Sequence, residues 1–568
     1  MAKDFNIPAI SSDSPLSGEQ KAWLGGYFYG VESASGMGGS DSDGGVKTHI
    51  LYGTQTGNAE NVALDLGNAI NGIVLDMADV SADDFKSFEN IVIVTSTYGD
   101  GEHPDNGQIL WDSVQGIDKM SCNFAILGLG DTAYDFFCKS AEDWDSFLSS
   151  KGGTKKAEMV KLDVDYEEGA NKWIAKMAGL FKSEAVEEKS APKNEAPASG
   201  HKSIYNKNNP YMGEFLVNKL LSKDGSDKQV HHFEFEVNDP EMAYEAGDAL
   251  GVIPFNSEKL VNAIISAGGF DAGKEIDGKK FSDILTQEKE IRTPNKDFIK
   301  TVAEKSNNEE LNKLLGDKPA MDNFLWGREV LDFLNDYNVS FSEEEFLGLT
   351  KSLQHRLYSI SSSPNAHKGE VHLTVAAVKY DFNGRGCEGV ASCYLSDYLA
   401  TGNKVGLFIH PNKAFSIPQD GNVPMIMVGP GTGIAPFRAF MEERISRGEA
   451  GDNWLFFGDR TKNDYLYQDE LEAWEKDGKL KLSLAWSREK DIPKTYVQDL
   501  MRENGEELFK ALEAGGYFFV CGDASRMAKD VEASLLEIIA TAGAMSVEKA
   551  TDYLNELKKQ KRYVRDVY

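Results

Sequence analysis

Arginine is missing from the first half of this 568-residue chain: the first one is Arg292. Lysine alone supplies positive charge there, and the whole protein carries a net charge of −31. That balance excludes nucleic acid as a partner, because phosphates would be repelled, and suits a partner with a basic patch. Acidic side chains gather at Asp100, Glu102 and Asp105 and again at Glu142, Asp143 and Asp145. Cysteine is scarce: Cys122, Cys138, Cys387, Cys393 and Cys521 are the five, and no two have C-x-x-C spacing. No metal site is expected in this chain, and an odd number of cysteines without a signal peptide points to reduced thiols. Apolar runs of the ~18–20 residues needed to span a bilayer are also lacking. The start, Met1-Ala2-Lys3-Asp4-Phe5-Asn6, lacks the basic-then-apolar pattern of a signal peptide, so a cytoplasmic protein is expected.

What is present alternates in character along the chain. Residues 1–46 hold a short apolar helix pattern (Leu16 to Leu24), the aromatics Tyr27, Phe28 and Tyr29, and a Gly/Ser/Asp-rich tether. Such a helix buries itself poorly alone and reads as an oligomerisation arm. In 47–182 the runs His49–Tyr52, Ile91–Thr95 and Phe124–Leu129 read as buried parallel strands, each ending in a turn-rich loop, the pattern of a doubly wound sheet. Residues 183–203, with Pro192 and Pro197 and little apolar content, read as a flexible linker. Strand patterns at Phe215–Val217, His232–Val237 and Val371–Val375 frame a mostly helical stretch at about 257–352, so 204–415 reads as a β-barrel with a helical insert. From 416 to 568 strands and helices alternate again. The whole is a multidomain α/β protein.

Four motifs carry chemistry. Thr54-Gln55-Thr56-Gly57-Asn58-Ala59 joins a strand to a helix, where hydroxyls and backbone N–H groups can wrap a phosphate without arginine. Two later strand-end loops, with Thr97, Tyr98 and Gly99 and with Gly130 and Tyr134, offer aromatics to sandwich an isoalloxazine ring, so the first site suits flavin mononucleotide (FMN). In Arg356-Leu357-Tyr358-Ser359, Arg356 can neutralise a pyrophosphate, Tyr358 can stack on a flavin and Ser359 can bond its edge. Gly389-Val390-Ala391-Ser392 opens a helix about thirty residues on and suits the same pyrophosphate, so this site suits flavin adenine dinucleotide (FAD). Gly429-Pro430-Gly431-Thr432-Gly433 is a strand–loop–helix turn distinct from G-x-G-x-x-G and suits a nicotinamide nucleotide. Downstream, Ser487, Arg488, Lys494 and Tyr496 suit a 2′-phosphate, favouring NADPH over NADH. The terminal Arg565-Asp566-Val567-Tyr568 can cover a flavin ring.

Together these motifs resemble the diflavin reductases over essentially the whole chain. Within that family the arm Gln20–Gly30, the lack of an anchor and the terminal Tyr568 are most similar to the flavoprotein subunits of assimilatory NADPH-sulfite reductases. The resemblance implies a flavodoxin-like FMN domain, an FAD-binding barrel and a ferredoxin-reductase-like NADPH domain. It implies FMN contacts at Thr54, Gln55, Thr56, Asn58, Ala59 and Tyr134, and FAD contacts at Arg356, Tyr358, Ser359, Tyr380, Val390, Ala391 and Ser392. It implies NADPH contacts at Gly431, Thr432, Ser487, Arg488, Lys494, Tyr496 and Gln498, with the Arg488–Lys494 spacing one residue longer than usual. Ser359, Cys521 and Asp566 match the hydride-transfer group, and Tyr568 matches the aromatic that shields FAD. The expected activity is electron transfer from NADPH through FAD and FMN to a separate sirohaem, iron–sulfur sulfite reductase haem subunit. A soluble reductase for another haem acceptor is the alternative. A non-catalytic carrier with flavin folds is disfavoured by the intact Ser359, Cys521, Asp566 and Tyr568.

Overall fold

A computed structural model describes residues 47–99, 101–132, 136–181, 203–524 and 526–567. The N-terminal arm, the linker, Tyr134 and Tyr568 lie outside the described residues, apart from Ser203 at the linker's end. The first module is an all-parallel sheet in the strand order Ile73–Asp76, Thr48–Gly53, Asn90–Ser96, Asn123–Leu129, with Thr154–Lys155 and Val160–Leu162 both pairing the last. Strands such as Ile91-Val92-Ile93-Val94 are fully buried because helices cover both sheet faces. Each such side chain contributes about 1.5–3 kcal/mol by leaving water. Separate apolar cores fill the two faces, one around Phe85 and Trp144, the other around Leu66 and Trp173.

The second module is a six-stranded antiparallel sheet in the order Arg356–Ser359, Ala249–Ile253, Lys404–His410, Tyr211–Leu220, Val230–Glu236, Glu370–Ala376. A bridge between Ile360 and Leu373 joins its first and last strands and closes the barrel. The insert between Ile253 and Arg356 carries seven described helices, from Glu258–Gly268 to Glu343–Leu349. Ser257, Asn295, Asn308, Asp317 and Ser342 start five of them, each side chain accepting a backbone N–H of the first turn. The insert has its own core around Phe281, Phe298, Phe333 and Phe346.

The third module is again all parallel, in the order Lys481–Trp486, Asn453–Asp459, Met425–Val428, Tyr517–Gly522, Tyr563–Val567. A buried polar seam locks it to the barrel. Arg438, only 6% exposed, forks onto Glu470 at 2.7 and 3.0 Å and donates to the Ser361 carbonyl at 2.6 Å. His232 bonds the Tyr467 hydroxyl at 2.8 Å, and burial pushes its pKa down to about 3, so the ring is neutral. A satisfied network of this kind rigidifies the junction. Among the described residues no helix is long and apolar enough to cross a membrane.

Candidate functional site

The phosphate loop Thr54–Gly57 links the first strand to the helix Asn58–Ile70. Gly57 caps that helix at φ +84, a conformation only glycine adopts cheaply, and no side chain caps the helix. The first-turn N–H groups are therefore open to an anion. Thr54 pins the loop: its hydroxyl accepts the Gly57 N–H at 3.0 Å, and its own N–H donates to Asn106 at 2.9 Å. Asn58 accepts the Tyr166 hydroxyl at 3.2 Å. Beside this loop, Tyr98 and Glu102 form a two-way backbone bridge at 2.9 and 2.8 Å, with Gly99 at φ +52. The Tyr98 hydroxyl is buried with no hydrogen-bond partner among the described residues. Thr97 plays an architectural part, accepting the Ser140 N–H at 3.1 Å. Gly130 donates to Leu162 at 3.0 Å, and a Cβ there would meet the Cys138 N at 3.0 Å. This anion cradle of backbone, hydroxyl and glycine fits a phosphate-bearing cofactor.

The strand Arg356–Ser359 pairs antiparallel with Ala249–Ile253, leaving Arg356 exposed and Tyr358 half-buried against the barrel core. Gly389 begins the short helix Val390–Cys393. Its missing Cβ matters, because one would lie 2.7 Å from the Ser392 hydroxyl, which itself accepts the Val378 N–H at 3.1 Å. Tyr380 stands on the neighbouring hairpin, where Arg292 donates to its hydroxyl at 3.1 Å and lies 5.8 Å above its ring.

Three predicted residues from three elements meet where the barrel faces the third module. Ser359 donates to the Asp566 carboxylate at 2.7 Å, and the Cys521 sulfur lies 4.0 Å from the same oxygen. Asp566 pairs with Cys521 across the parallel strands Tyr517–Gly522 and Tyr563–Val567. Burial raises the Asp566 pKa, partly offset by the Ser359 bond. Burial, with the Asp566 charge beside it, pushes the Cys521 thiol well up, so it is neutral and no nucleophile.

Next to this cluster opens a cavity of about 620 Å³, lined among others by Gly431, Thr432, Ser487, Tyr496 and Gln498. Glycine is obligatory in its turn. A Cβ on Gly433 would lie 2.2 Å from the Cys521 carbonyl oxygen, and Gly431 sits at φ +58. Of the predicted 2′-phosphate group, Arg488 and Lys494 do not line the cavity; Lys494 rests 5.0 Å over the Tyr496 ring. Arg460, Arg526 and Lys228 line it instead, and sequence reading missed all three. The carboxylates Asp459, Asp523 and Asp530 line it too, and Asp459 holds Lys228 at 2.5 Å. A nucleotide-sized cleft with close-approach glycines and the guanidinium groups Arg460 and Arg526 fits a dinucleotide phosphate.

Known proteins divide the chain the same way. Residues 50–173 match the family described as flavodoxin. Residues 204–289 and 279–394 match the FAD binding domain, and 427–533 match the oxidoreductase NAD-binding domain. A Vibrio cholerae sulfite reductase [NADPH] flavoprotein alpha-component is 37% identical over 97% of this chain and 94% of its own length. Those of Aliivibrio fischeri and Bacillus subtilis are 38% and 37% identical, covering 98% and 97% of this chain and 96% of each relative. The chain belongs to the sulfite reductase NADPH flavoprotein alpha-component family. Its cofactors are FMN, FAD and NADPH, one for each module type.

In this flavoprotein the acidic residues near the flavin loops are mostly spoken for. Asp145 pairs with Lys155 at 2.8 Å, Asp143 with Lys139 and Glu142 with Lys161, all within the first module. Glu102 pairs with Lys529 at 3.1 Å, and Asp105 pairs with Arg565, both across to the third module. The acid-rich loop at 102–105 thus faces the flavoprotein's own NADPH module. Sequence reading took it for a face presented to a partner.

Proposed function

We infer that this chain passes electrons from NADPH through FAD and FMN to the haem subunit of a sulfite reductase, for reduction of sulfite to sulfide in assimilation. The observation that carries the reading is the Ser359–Asp566–Cys521 cluster. It is built from the barrel and the third module together, beside the nucleotide cavity. The bound flavins supply the conversion of a two-electron hydride into single electrons, which a haem acceptor requires. Asp566 would present its buried carboxylate to a bound nicotinamide, stabilising the positive charge that hydride donation creates. Ser359 orients that carboxylate, and the neutral Cys521 thiol fills the pocket without reacting. Thr54–Ala59 would hold the FMN phosphate, with Tyr98 and Tyr134 at its ring. Arg356 and Gly389–Ser392 would hold the FAD pyrophosphate, with Tyr358 and Tyr380 nearby. Gly431, Thr432, Ser487, Tyr496 and Gln498 would hold NADPH, with Arg488 and Lys494 at the rim. Tyr568 would shield the FAD ring and move aside for nicotinamide.

The working units in this reading are 47–182, 204–415 with the insert at about 257–352, and 416–568. Residues 1–46 would serve as a homo-oligomerisation arm and 183–203 as the connection between the first module and the barrel. The relatives' designation as an alpha-component supports a separate haem subunit, and a cytoplasmic location belongs to the same reading. The test is NADPH oxidation by purified protein, with and without a sirohaem sulfite reductase subunit plus sulfite. Sulfide formed only with both proteins present is the expected result. Brisk reduction of cytochrome c without sulfide would keep the electron path and assign it another haem acceptor.

A further inference from the structure

Among the described residues Arg565 brings a guanidinium to the loops beside the first module's phosphate loop, and it comes from the strand that carries Asp566. Along Tyr563–Val567 successive side chains point to opposite faces. Asp566 turns into the hydride pocket, and Arg565 turns the other way, onto the loops of the FMN module. Its guanidinium forks over Asp105, with Nε 3.0 Å from Oδ2 and Nη2 on Oδ1. It lies 5.7 Å over the Tyr98 ring. Its backbone carbonyl accepts from Gln55 Nε2 at 3.3 Å, and the same Gln55 amide donates to Asp105 at 3.1 Å. The pair is largely buried, at 13% and 22% side-chain exposure. Burial alone would raise the Asp105 carboxyl, but Arg565 outweighs it and holds the carboxyl below its ordinary value.

On the barrel side the first module is held by Lys207, which pairs with the half-exposed Asp165 and Glu167 at 2.6 and 2.9 Å, and by Lys351, 3.6 Å from Asp163. On the side of the third module the contacts beside Arg565 are simpler. Glu102–Lys529 lies at 3.1 Å with both side chains about half exposed, and Asp76–Lys561 is at 3.7 Å. The first is a solvent-screened pair that contributes little, and the second is a long contact between an exposed Lys561 and a mostly buried Asp76. A buried bidentate guanidinium–carboxylate pair is costly to break by removing one partner, and its fork fixes direction as well as distance. We propose that Arg565 is the positioning residue that seats the FMN module against the hydride-transfer site, its fork on Asp105 fixing the docked arrangement. One peptide bond then separates the group that assists hydride transfer from the group that holds the electron-accepting module in place. The docked face includes the phosphate loop, so delivery to an outside acceptor requires this clamp to open.

This rests on the electron path inferred above, and its first test does not depend on that path. A zero-length carbodiimide joins carboxylate and amine only when they are in contact, so the Glu102–Lys529 link, read by peptide mass spectrometry, reports docking of the intact two-flavin protein. Arg565→Ala and Asp105→Asn should each lower that link at least about fivefold, given the cost of an unpaired buried charge. A link unchanged in both variants overturns the proposal. Stopped-flow reduction by NADPH gives the second readout. FAD reduction in Asp105→Asn should stay within about twofold of the parent while FMN reduction slows about tenfold, as expected for a lost charge-assisted contact. The charge-swapped pair Asp105→Arg with Arg565→Asp should recover part of the docking link. Arg565 also lies 3.3 Å from Glu532 of its own module; equal slowing of both flavins in both variants would mean that Arg565 only braces its own strand through that pair, and would overturn the proposal. Absence of NADPH-driven flavin reduction in the parent protein would instead sink the electron path.

Discussion

The first and third modules are both all-parallel sheets with a ligand loop at the carboxyl end of a central strand, yet they grip phosphate differently. The first uses an uncapped helix N-terminus, a left-handed glycine and the Thr54 hydroxyl, with no arginine of its own. The third lines its cavity with Arg460, Arg526 and Lys228 set among the carboxylates Asp459, Asp523 and Asp530. A resident cofactor needs a cradle that is shaped and does not exchange. A nucleotide that must arrive and leave at each turnover is drawn in by exposed cations. The difference also leaves the first module acidic, so the guanidinium at its loops is supplied from the third.

The largest break in that comparison should come from Asp566→Asn. Losing the carboxylate of the proposed hydride-transfer cluster should slow flavin reduction by about 100-fold, the order seen when a group aimed at developing charge is removed. NADPH binding, measured by titration, should change by less than about threefold. The same residue predicts a pH limb. Its raised pKa means protonation begins above the ordinary carboxylate range, so hydride transfer should fall as pH drops through that raised value, and Asp566→Asn should flatten the profile. Unchanged stopped-flow rates would remove the role.

Next comes Gly433→Ala, whose new Cβ would sit 2.2 Å from the Cys521 carbonyl oxygen, a backbone atom that cannot swing away. A loss of about 2–4 kcal/mol is expected from this overpacking, read as a lower melting temperature together with lost NADPH binding. Gly57→Ala tests the corresponding turn in the other module. Space is open around Gly57, so only the φ of +84 opposes a side chain, at a cost of about 1–2 kcal/mol. It should release FMN more readily without unfolding the module, measured as the FMN-to-protein ratio after dialysis. Smallest is Arg460→Ala, which should raise the NADPH KM about tenfold while kcat holds, as for loss of a charge-assisted phosphate contact. An unchanged KM would return the 2′-phosphate to Arg488 and Lys494.

Much of this was legible in the chain because it is local. Ile91–Thr95 announces a strand buried on both faces, and Gly53–Ala59 and Gly429–Gly433 announce strand–loop–helix turns through glycines that the backbone requires. Ser359, Cys521 and Asp566 were legible only by resemblance, since a serine, a cysteine and an aspartate so far apart carry no spacing signal; the fold then brings them within hydrogen-bond reach. Arg460 was missed because Asp459-Arg460-Thr461-Lys462 has the composition of a solvated turn, and only sheet order turns it toward the cavity. The acidic loop at Glu102–Asp105 was read as outward-facing because its partner, Arg565, is 460 residues away. Charge patterning along a chain identifies an unbalanced surface but not the surface that balances it.

That separation has a consequence for biosynthesis. At the ordinary pace of translation, about 5–20 residues per second, the first module emerges tens of seconds before the strand bearing Arg565 exists. Closing a contact 460 residues apart contributes heavily to contact order and belongs to the slow, late steps of folding. During the wait, the module's phosphate loops are exposed and its acidic charge repels other nascent copies. Docking of the first module onto the third is therefore a late assembly event, coincident with completion of the fifth strand of the nucleotide sheet.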